Sequence, residues 1–412
     1  MVGSAKMNRV DYNRYEVNAR KPQRRVRERR KILPMFLKPW MIVAVLILGL
    51  IGYRMATMEA ELKLETTFAV PEGVSLDGIS VSGVKMAAAV DGDVTISDEE
   101  VRPTASTTKM ILALAVMEKK PFALGEKGEE IEITQEMYDI RGWYLSHNGS
   151  NTLVEVGEKI SEYDALVSTL LASSNNMADS LAIWAFGSLE EYQKYATEML
   201  SRLGAKKTTI GSKDASGYDS STTSTASDLA RIGYFVMKNP VLAQIVALES
   251  AEVPIAGRIE NTNKLLGRAS ISGVKTGYIG DESGYCLVSG YKVDEHIITV
   301  AVLGASTRDG SFDQSLSVVK ALQEKLEKQE MLKRGDEVGY YESWWTGKVS
   351  VKVGEGLSEI NYKGAEKKVE ILEDAVKVKI GETEYTIPAD VPSFSKKPSL
   401  IDRFLHVFGW KK

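Results

Sequence analysis

At 412 residues, with 43% hydrophobic and 26% charged side chains, the chain has the composition of a globular protein with room for two or three domains. The net charge of −4 conceals a basic head, with 12 Lys+Arg against 3 Asp+Glu up to Lys38, on an acidic body with 40 against 53, which excludes nucleic-acid binding along the whole chain. A single cysteine, Cys286, excludes an internal disulfide and leaves stability to a large core; its setting in "GYCLVSG" predicts a small buried hydrophobe, not a reactive thiol.

Residues 1–34 read as a basic cytoplasmic tail containing "RKPQRRVRERRK". The uncharged run "PWMIVAVLILGLIGY" follows, and residues 35–58 reach the ~20 residues of a membrane span if Lys38 and Arg54 stretch their charges to the interface. Trp40 and Tyr53 fall where interfacial aromatics belong, and the basic cluster holds its side in the cytoplasm. A cleaved signal peptide fits less well, because the head is long and no Ala-x-Ala site follows the run. The expectation is an uncleaved, single-pass signal-anchor with the rest of the chain exported.

Residues 59–78 read as a stalk, and residues 79–333 as one α+β domain. Within it "ISVSGVKMAAAV" and "DVTIS" form a predicted strand pair about "DGD", and "STTKMILALAVMEK" a helix. "YDALVSTLLASSNNMADSLAIWAF", "LEEYQKYATEMLSRLG" and "TASDLARIGYFVMKN" carry helical patterning. "SISGVKTGYI", "SGYCLVSGYKV" and "HIITVAVLGAS" are a predicted antiparallel meander, closed by the amphipathic helix "FDQSLSVVKALQEKLEKQEML". Strands at both ends of the domain imply one sheet that gathers them. Residues 334–393, with "EVGYYE", "KVSVKV", "KKVEIL", "AVKVKI" and "EYTIPA", read as a small all-β domain. Residues 394–412 end in an amphipathic helix, with Leu400, Ile401, Phe404, Leu405 and Phe408 on one face. It either lies in a membrane interface or docks on the β domain.

The histidines, His147, His296 and His406, show no metal-ligand spacing and no context for a Ser-His-Asp mechanism, and there is no Gly-x-Ser-x-Gly elbow. Lysine is the more natural base for a serine nucleophile here, since burial and neighbouring positive charge can lower its pKa. Ser-x-x-Lys occurs at Ser82, Ser106, Ser272, Ser289, Ser317 and Ser393. Three of these lie on predicted strands, where residues three apart face opposite ways. Ser317 lies on a helix whose lysine is solvated, and Ser393 lies beside prolines in a tail. Only Ser106 opens a helix, where the dipole favours developing negative charge and Lys109 is one turn away.

Downstream stand Ser173-Ser174-Asn175 and Lys275-Thr276-Gly277. In that order Ser-x-x-Lys, Ser-x-Asn and Lys-Thr-Gly resemble the motif set of penicillin-binding proteins and serine β-lactamases. "PTASTTKM", "NTNKLLGR", "GVKTGY" and "ASGYDSSTTSTASDLARIG" resemble the low-molecular-mass penicillin-binding proteins, the D-alanyl-D-alanine carboxypeptidases of peptidase family S11, over about residues 70–330. The sequence departs at Asn176-Met177, where that family usually has Asp-Ala. The resemblance implies a β-lactamase/transpeptidase-like fold: an antiparallel sheet flanked by helices, plus a helical lobe. It implies that Ser106 attacks the carbonyl between two terminal D-alanines and Lys109 takes its proton. Ser173 relays a proton to the leaving amine, and Asn175 holds the substrate amide. Lys275 attracts the terminal carboxylate and helps to depress the pKa of Lys109. Thr276 bonds that carboxylate, and Gly277 lets substrate lie against the strand edge. The backbone N–H groups of Ser106 and Tyr278 form the oxyanion hole.

It further implies peptidoglycan stem peptides as substrates, β-lactams as covalent inhibitors, no metal or cofactor, and a catalytic domain on the cell-wall side of the cell membrane. A β-lactamase is disfavoured because no glutamate lies between Met199 and Leu248 to activate a deacylating water. A D,D-transpeptidase or endopeptidase is chemically close, and a catalytically dead wall-binding scaffold is opposed by the intact motifs.

Overall fold

A computed structural model describes residues 39–58, 63–381 and 383–410. The basic tail and residues 35–38 of the predicted span lie outside them. The chain divides into two compact units, one of residues 61–396 and one combining the two termini.

In the terminal unit the helix Pro39–Ala56 is 18 residues long, has none of its residues buried, and is long and apolar enough to cross a membrane. The helix Leu400–Val407 starts at a capping box, in which Ser399 and Asp402 satisfy each other's backbone N–H. Arg403 Nη1 donates to the Met55 carbonyl at 3.2 Å. Leu400, Ile401, Phe404, Phe408 and Trp410 are exposed.

The larger unit is an α+β structure built on a five-stranded antiparallel sheet. Its order is Gly273–Gly277, Tyr285–Val293, His296–Ala305, Lys85–Val90, Asp93–Ile96, so strands from both ends of the domain meet as the pattern predicts. Asp91 and Gly92 join the last two strands with φ of +50° and +89°, the left-handed pair that a two-residue hairpin turn requires. The helix Ala226–Lys238 packs on one face. A Cβ on its Gly233 would lie 2.7 Å from Val288 Cγ1, so glycine is what lets this helix press on the sheet. The helix Arg308–Lys325 covers the other face. Phe312, Leu316, Val319 and Leu322 join Ala88, Leu287, Val300 and Val302 in one apolar cluster. Cys286 is buried in the sheet, and burial pushes its thiol up to about 12.

Beside the first face stands a helical lobe around Lys109–Lys119, whose residues Met110 to Met117 are all buried. The predicted continuous helix at "YDALV…IWAF" is two helices, Glu162–Leu170 and Asn175–Phe186. The Ser-Ser-Asn residues break it, because short polar side chains compete for the backbone. Ser174 caps the second helix by accepting from Met177 N, and Ser173 adopts φ +59°. The helix Gln135–Ser146 has no counterpart in the sequence reading.

The second apolar cluster continues from the sheet into the later strands through Val338, Val351, Ile371, Val376 and Val378. Those strands build a six-stranded sheet ordered Lys63–Thr66, Glu337–Ser343, Gly347–Val353, Thr383–Asp390, Ala375–Ile380, Lys367–Ile371. Lys63–Thr66, within the predicted stalk, is thus an edge strand; four mostly polar residues carry too little alternation to read as one. His296 ties the two sheet regions together. Its Nδ1 lies 2.5 Å from Asp91 Oδ2, and its Nε2 lies 2.9 Å from Glu359 Oε1 in the later region.

Candidate active site

Thr104 leads into a short 3₁₀ turn, Ala105–Thr108, that runs directly into the helix Lys109–Lys119. Ala105 is held at φ +49°, a conformation that costs a non-glycine residue about 1–3 kcal/mol and clusters at functional sites. The turn is gripped from outside. Thr104 N donates to Thr222 O at 3.1 Å, and a Cβ on Gly217 (φ +73°) would strike Ala105 O at 2.1 Å. This geometry presents Ser106 to a cleft of about 340 Å³ that Ser173, Thr276, Gly277 and Tyr278 also line.

Lys109 is fully buried. Its Nζ donates to Ser106 Oγ at 2.7 Å, to Asn175 Oδ1 at 2.7 Å and to Ser216 O at 2.9 Å. All three partners are uncharged. Burial lowers its pKa to about 7, and the Asp214 and Asp179 carboxylates work in the opposite direction. Lys275, 1% exposed, donates to Ser173 Oγ at 2.9 Å and to Thr276 O at 3.1 Å. Burial first and then the Lys109 charge push its pKa well below the usual lysine range. The cleft therefore holds two Ser–Lys pairs, one made within a helical turn and the other between segments 102 residues apart.

A Cβ on Gly277 would lie 3.0 Å from both Ser106 N and Thr104 O, so glycine lets the strand edge pass this close to the serine without crowding its backbone. All the residues singled out in the sequence, Ser106, Lys109, Ser173, Asn175, Lys275, Thr276, Gly277 and Tyr278, gather here. Asn176, the departure from the family pattern, points away from the cleft. It accepts from Thr152 N at 2.9 Å and donates to Thr152 O at 3.1 Å, pinning the loop that carries Ser150 to the rim.

Sequence reasoning missed the support behind Lys109. Asp214 Oδ1 accepts from Ser216 N and Ser216 Oγ, both at 2.8 Å, which fixes the carbonyl that Lys109 binds. Asp179, one helical turn after Asn175, accepts from Tyr144 OH at 2.7 Å and Ala215 N at 2.8 Å. Burial and the Asp214 charge raise its pKa to about 7. Thr262 was also missed; its hydroxyl lies 2.6 Å from that of Thr276. The stretches "ASGYD" and "NTN" stand out in the sequence, but nothing in their spacing gives these partners.

The family model described as D-alanyl-D-alanine carboxypeptidase, Peptidase S11, matches residues 94–307. The chain is 27% identical over 219 residues to the D-alanyl-D-alanine carboxypeptidase DacF of Bacillus subtilis, covering 51% of this chain and 53% of that protein. It is 29% identical over 221 residues to a D-alanyl-D-alanine endopeptidase of Pseudomonas aeruginosa, covering 50% and 64%. The chain thus spans from about half to under two thirds of the length of these relatives. Its fold is similar to the crystal structure of a peptidoglycan synthesis regulatory factor (PBP3) from Streptococcus pneumoniae, with TM-score 0.62, 17% identity, and coverage of 76% of this chain and 99% of that one.

Proposed function

We infer the function from one premise: the chain belongs to peptidase family S11, the D-alanyl-D-alanine carboxypeptidases. It is a serine-type D-Ala-D-Ala carboxypeptidase that removes the terminal D-alanine from peptidoglycan pentapeptide stems. The observation that carries this reading is the contact of Ser106 Oγ with a buried Lys109 whose pKa is lowered to about 7. A lysine that can lose its proton near neutral pH is a competent general base. Ser106 attacks the carbonyl of the penultimate D-alanine, and its proton passes to Lys109 Nζ. The oxyanion forms against the Ser106 and Tyr278 amides. Asn175 bonds the substrate amide, while Lys275 and Thr276 take the terminal carboxylate. An arriving carboxylate favours the ammonium form of Lys275, whose proton reaches the departing D-alanine amine through Ser173. Lys109 then passes the proton it took to the now neutral Lys275, and water attacks the acyl-enzyme with Lys109 again as base; that proton goes on to Ser106 Oγ as the ester bond breaks.

Burial is the first cause of the Lys109 shift, and the repulsion between Lys109 and Lys275, which lowers the pKa of Lys275, is mutual. Penicillin acylates the same serine and is released slowly, since residues 199–248 contain no glutamate to activate water. The helix Pro39–Ala56 anchors the chain with its catalytic unit on the cell-wall side, and the exposed apolar face of Leu400–Val407 lies in the membrane interface. The strands after residue 334 act as a spacer that sets the height of the cleft.

The test is the full chain in detergent with a pentapeptide stem. Free D-alanine and a tetrapeptide are the expected products. Cross-linked dimers would replace the reading with a transpeptidase. Cleavage of pre-formed cross-links alone would favour the endopeptidase reading, which the name of the Pseudomonas relative supports.

A further inference from the structure

The hairpin between the strands Glu337–Ser343 and Gly347–Val353 carries two adjacent tryptophans at its tip, Trp344 and Trp345, and takes no part in the reaction. Both rings stay partly exposed and meet edge to face, with centroids 5.5 Å apart and planes at 74°. Hairpin tips are ordinarily built from Gly, Pro, Asn, Asp or Ser, so two large amphipathic rings in succession call for an environment that suits them.

Chain connectivity ties this tip to the membrane twice, an inference that rests on the anchoring proposed above. On the incoming side Lys63 enters the sheet paired with Glu342, next to Ser343, where the turn begins. Lys63 comes seven positions after Ala56, the last residue of the apolar helix, and seven extended residues span at most about 25 Å. On the outgoing side Trp345 Nε1 donates to Ser395 O at 2.8 Å, and Phe394 packs on Tyr341 with centroids 5.2 Å apart. Leu400, which opens the amphipathic helix, comes five positions after Ser395, at most about 18 Å away. Segments from opposite ends of the sequence therefore hold the same end of the sheet close to the bilayer. Trp40 and Trp410 belong to the membrane segments themselves, so four of the six tryptophans lie on those segments or at the tip they hold. Tryptophan concentrates at the level of the lipid headgroups, where its ring meets apolar chains and its N–H a polar partner. Lys63 and Lys348, both exposed, flank Glu342 on the neighbouring strands and present ammonium groups to anionic lipid.

We propose that the Trp344–Trp345 tip inserts its rings into the headgroup layer of the cell-wall-side leaflet, as a membrane contact separate from the two terminal helices. Two tethers limit how far the sheet stands from the bilayer. A third contact fixes its tilt, and with it the direction in which the catalytic cleft faces. The full chain is reconstituted in vesicles of phosphatidylcholine and phosphatidylglycerol that contain a nitroxide lipid, with the quencher either at the headgroup or midway along the acyl chain. A fluorophore is placed in turn by Lys348→Cys at the hairpin, by Lys119→Cys at the end of the helix that carries Lys109, and by Leu48→Cys in the apolar helix; Cys286 is buried and stays unlabelled. Fluorescent penicillin on Ser106 shows that each labelled chain is folded. The expected result is that the headgroup quencher removes most of the fluorescence at the Lys348 site and leaves the Lys119 site unchanged. Trp344→Ser, which spares the Trp345–Ser395 bond, should restore most of the lost signal. Equal quenching at the Lys348 and Lys119 sites, with the Leu48 site still quenched from mid-chain, overturns the hairpin contact and leaves the anchor standing. Quenching unchanged in Trp344→Ser also overturns it. If the Leu48 site escapes the mid-chain quencher, the anchor falls and the hairpin contact with it.

Discussion

Two buried cationic sites in the larger unit respond to burial in opposite ways. Lys109 has three uncharged hydrogen-bond partners, and its nearest carboxylates are already engaged: Asp214 with Ser216, Asp179 with Tyr144 and Ala215. Burial prevails there, and the pKa falls to about 7. His296 touches carboxylates at both ring nitrogens, which satisfies the doubly protonated ring. Burial works to lower its pKa, but the Asp91 and Glu359 hydrogen bonds outweigh it and hold the group above 6.5. Around it Thr383 also bonds Asp91, Tyr385 OH lies 3.4 Å from Nε2, and Lys328 approaches both Asp294 and Glu359. A carboxylate in contact makes a structural clamp. Carboxylates kept one hydrogen bond away leave a lysine that can lose its proton.

The comparison breaks most visibly at the proposed base. Lys109→Ala should slow acylation by fluorescent penicillin by roughly 10²–10⁴-fold, the usual range for a lost general base. Full-rate labelling would remove Lys109 from the mechanism. His296→Ala is expected to leave that labelling intact in folded protein while destabilising the fold by about 3–5 kcal/mol, because two buried carboxylates lose their partner. Chemical denaturation measures it, and a loss below about 1 kcal/mol would mean the clamp is not charged.

The pH dependences separate the two sites. In the proposed reaction acylation needs neutral Lys109, so its rate should rise as pH climbs through about 7 and then level off. A rate that falls across that window would contradict a lysine base. The His296 contribution runs the other way. Its folded pKa is raised, so its stabilisation is complete below about 6.5, the unfolded value, and is lost as pH rises through the folded pKa. Melting temperature followed against pH in wild type and His296→Ala should converge toward high pH. The smallest expected effect is in Asp179→Asn. Removing a charge that favours the protonated lysine should move the acylation midpoint below its wild-type position, and an unmoved midpoint would show that Asp179 has no electrostatic hold on Lys109.

Much of this molecule was legible where the information is local. The hairpin at Asp91-Gly92, the meander from residue 273 to 305 and the closing helix follow from period and turn residues. The break at residues 171–174 was not legible, although Ser-Ser-Asn lies there, because apolar patterning runs through it. The edge strand Lys63–Thr66 was missed because its partner, Glu337–Ser343, lies far along the chain.

The same division runs through the site. Sequence alone set Ser106 and Lys109 one turn apart, since helical geometry brings i and i+3 together whatever surrounds them. It also supplied the uncharged run of residues 39–53 and the order of the three motifs. The tertiary structure decided which lysine titrates near neutrality, which serine Lys275 meets, and where the Asp179–Tyr144–Asp214 support stands. Burial and long-range hydrogen bonds depend on neighbours 66, 102 and 107 residues away, and no local pattern of residues records them.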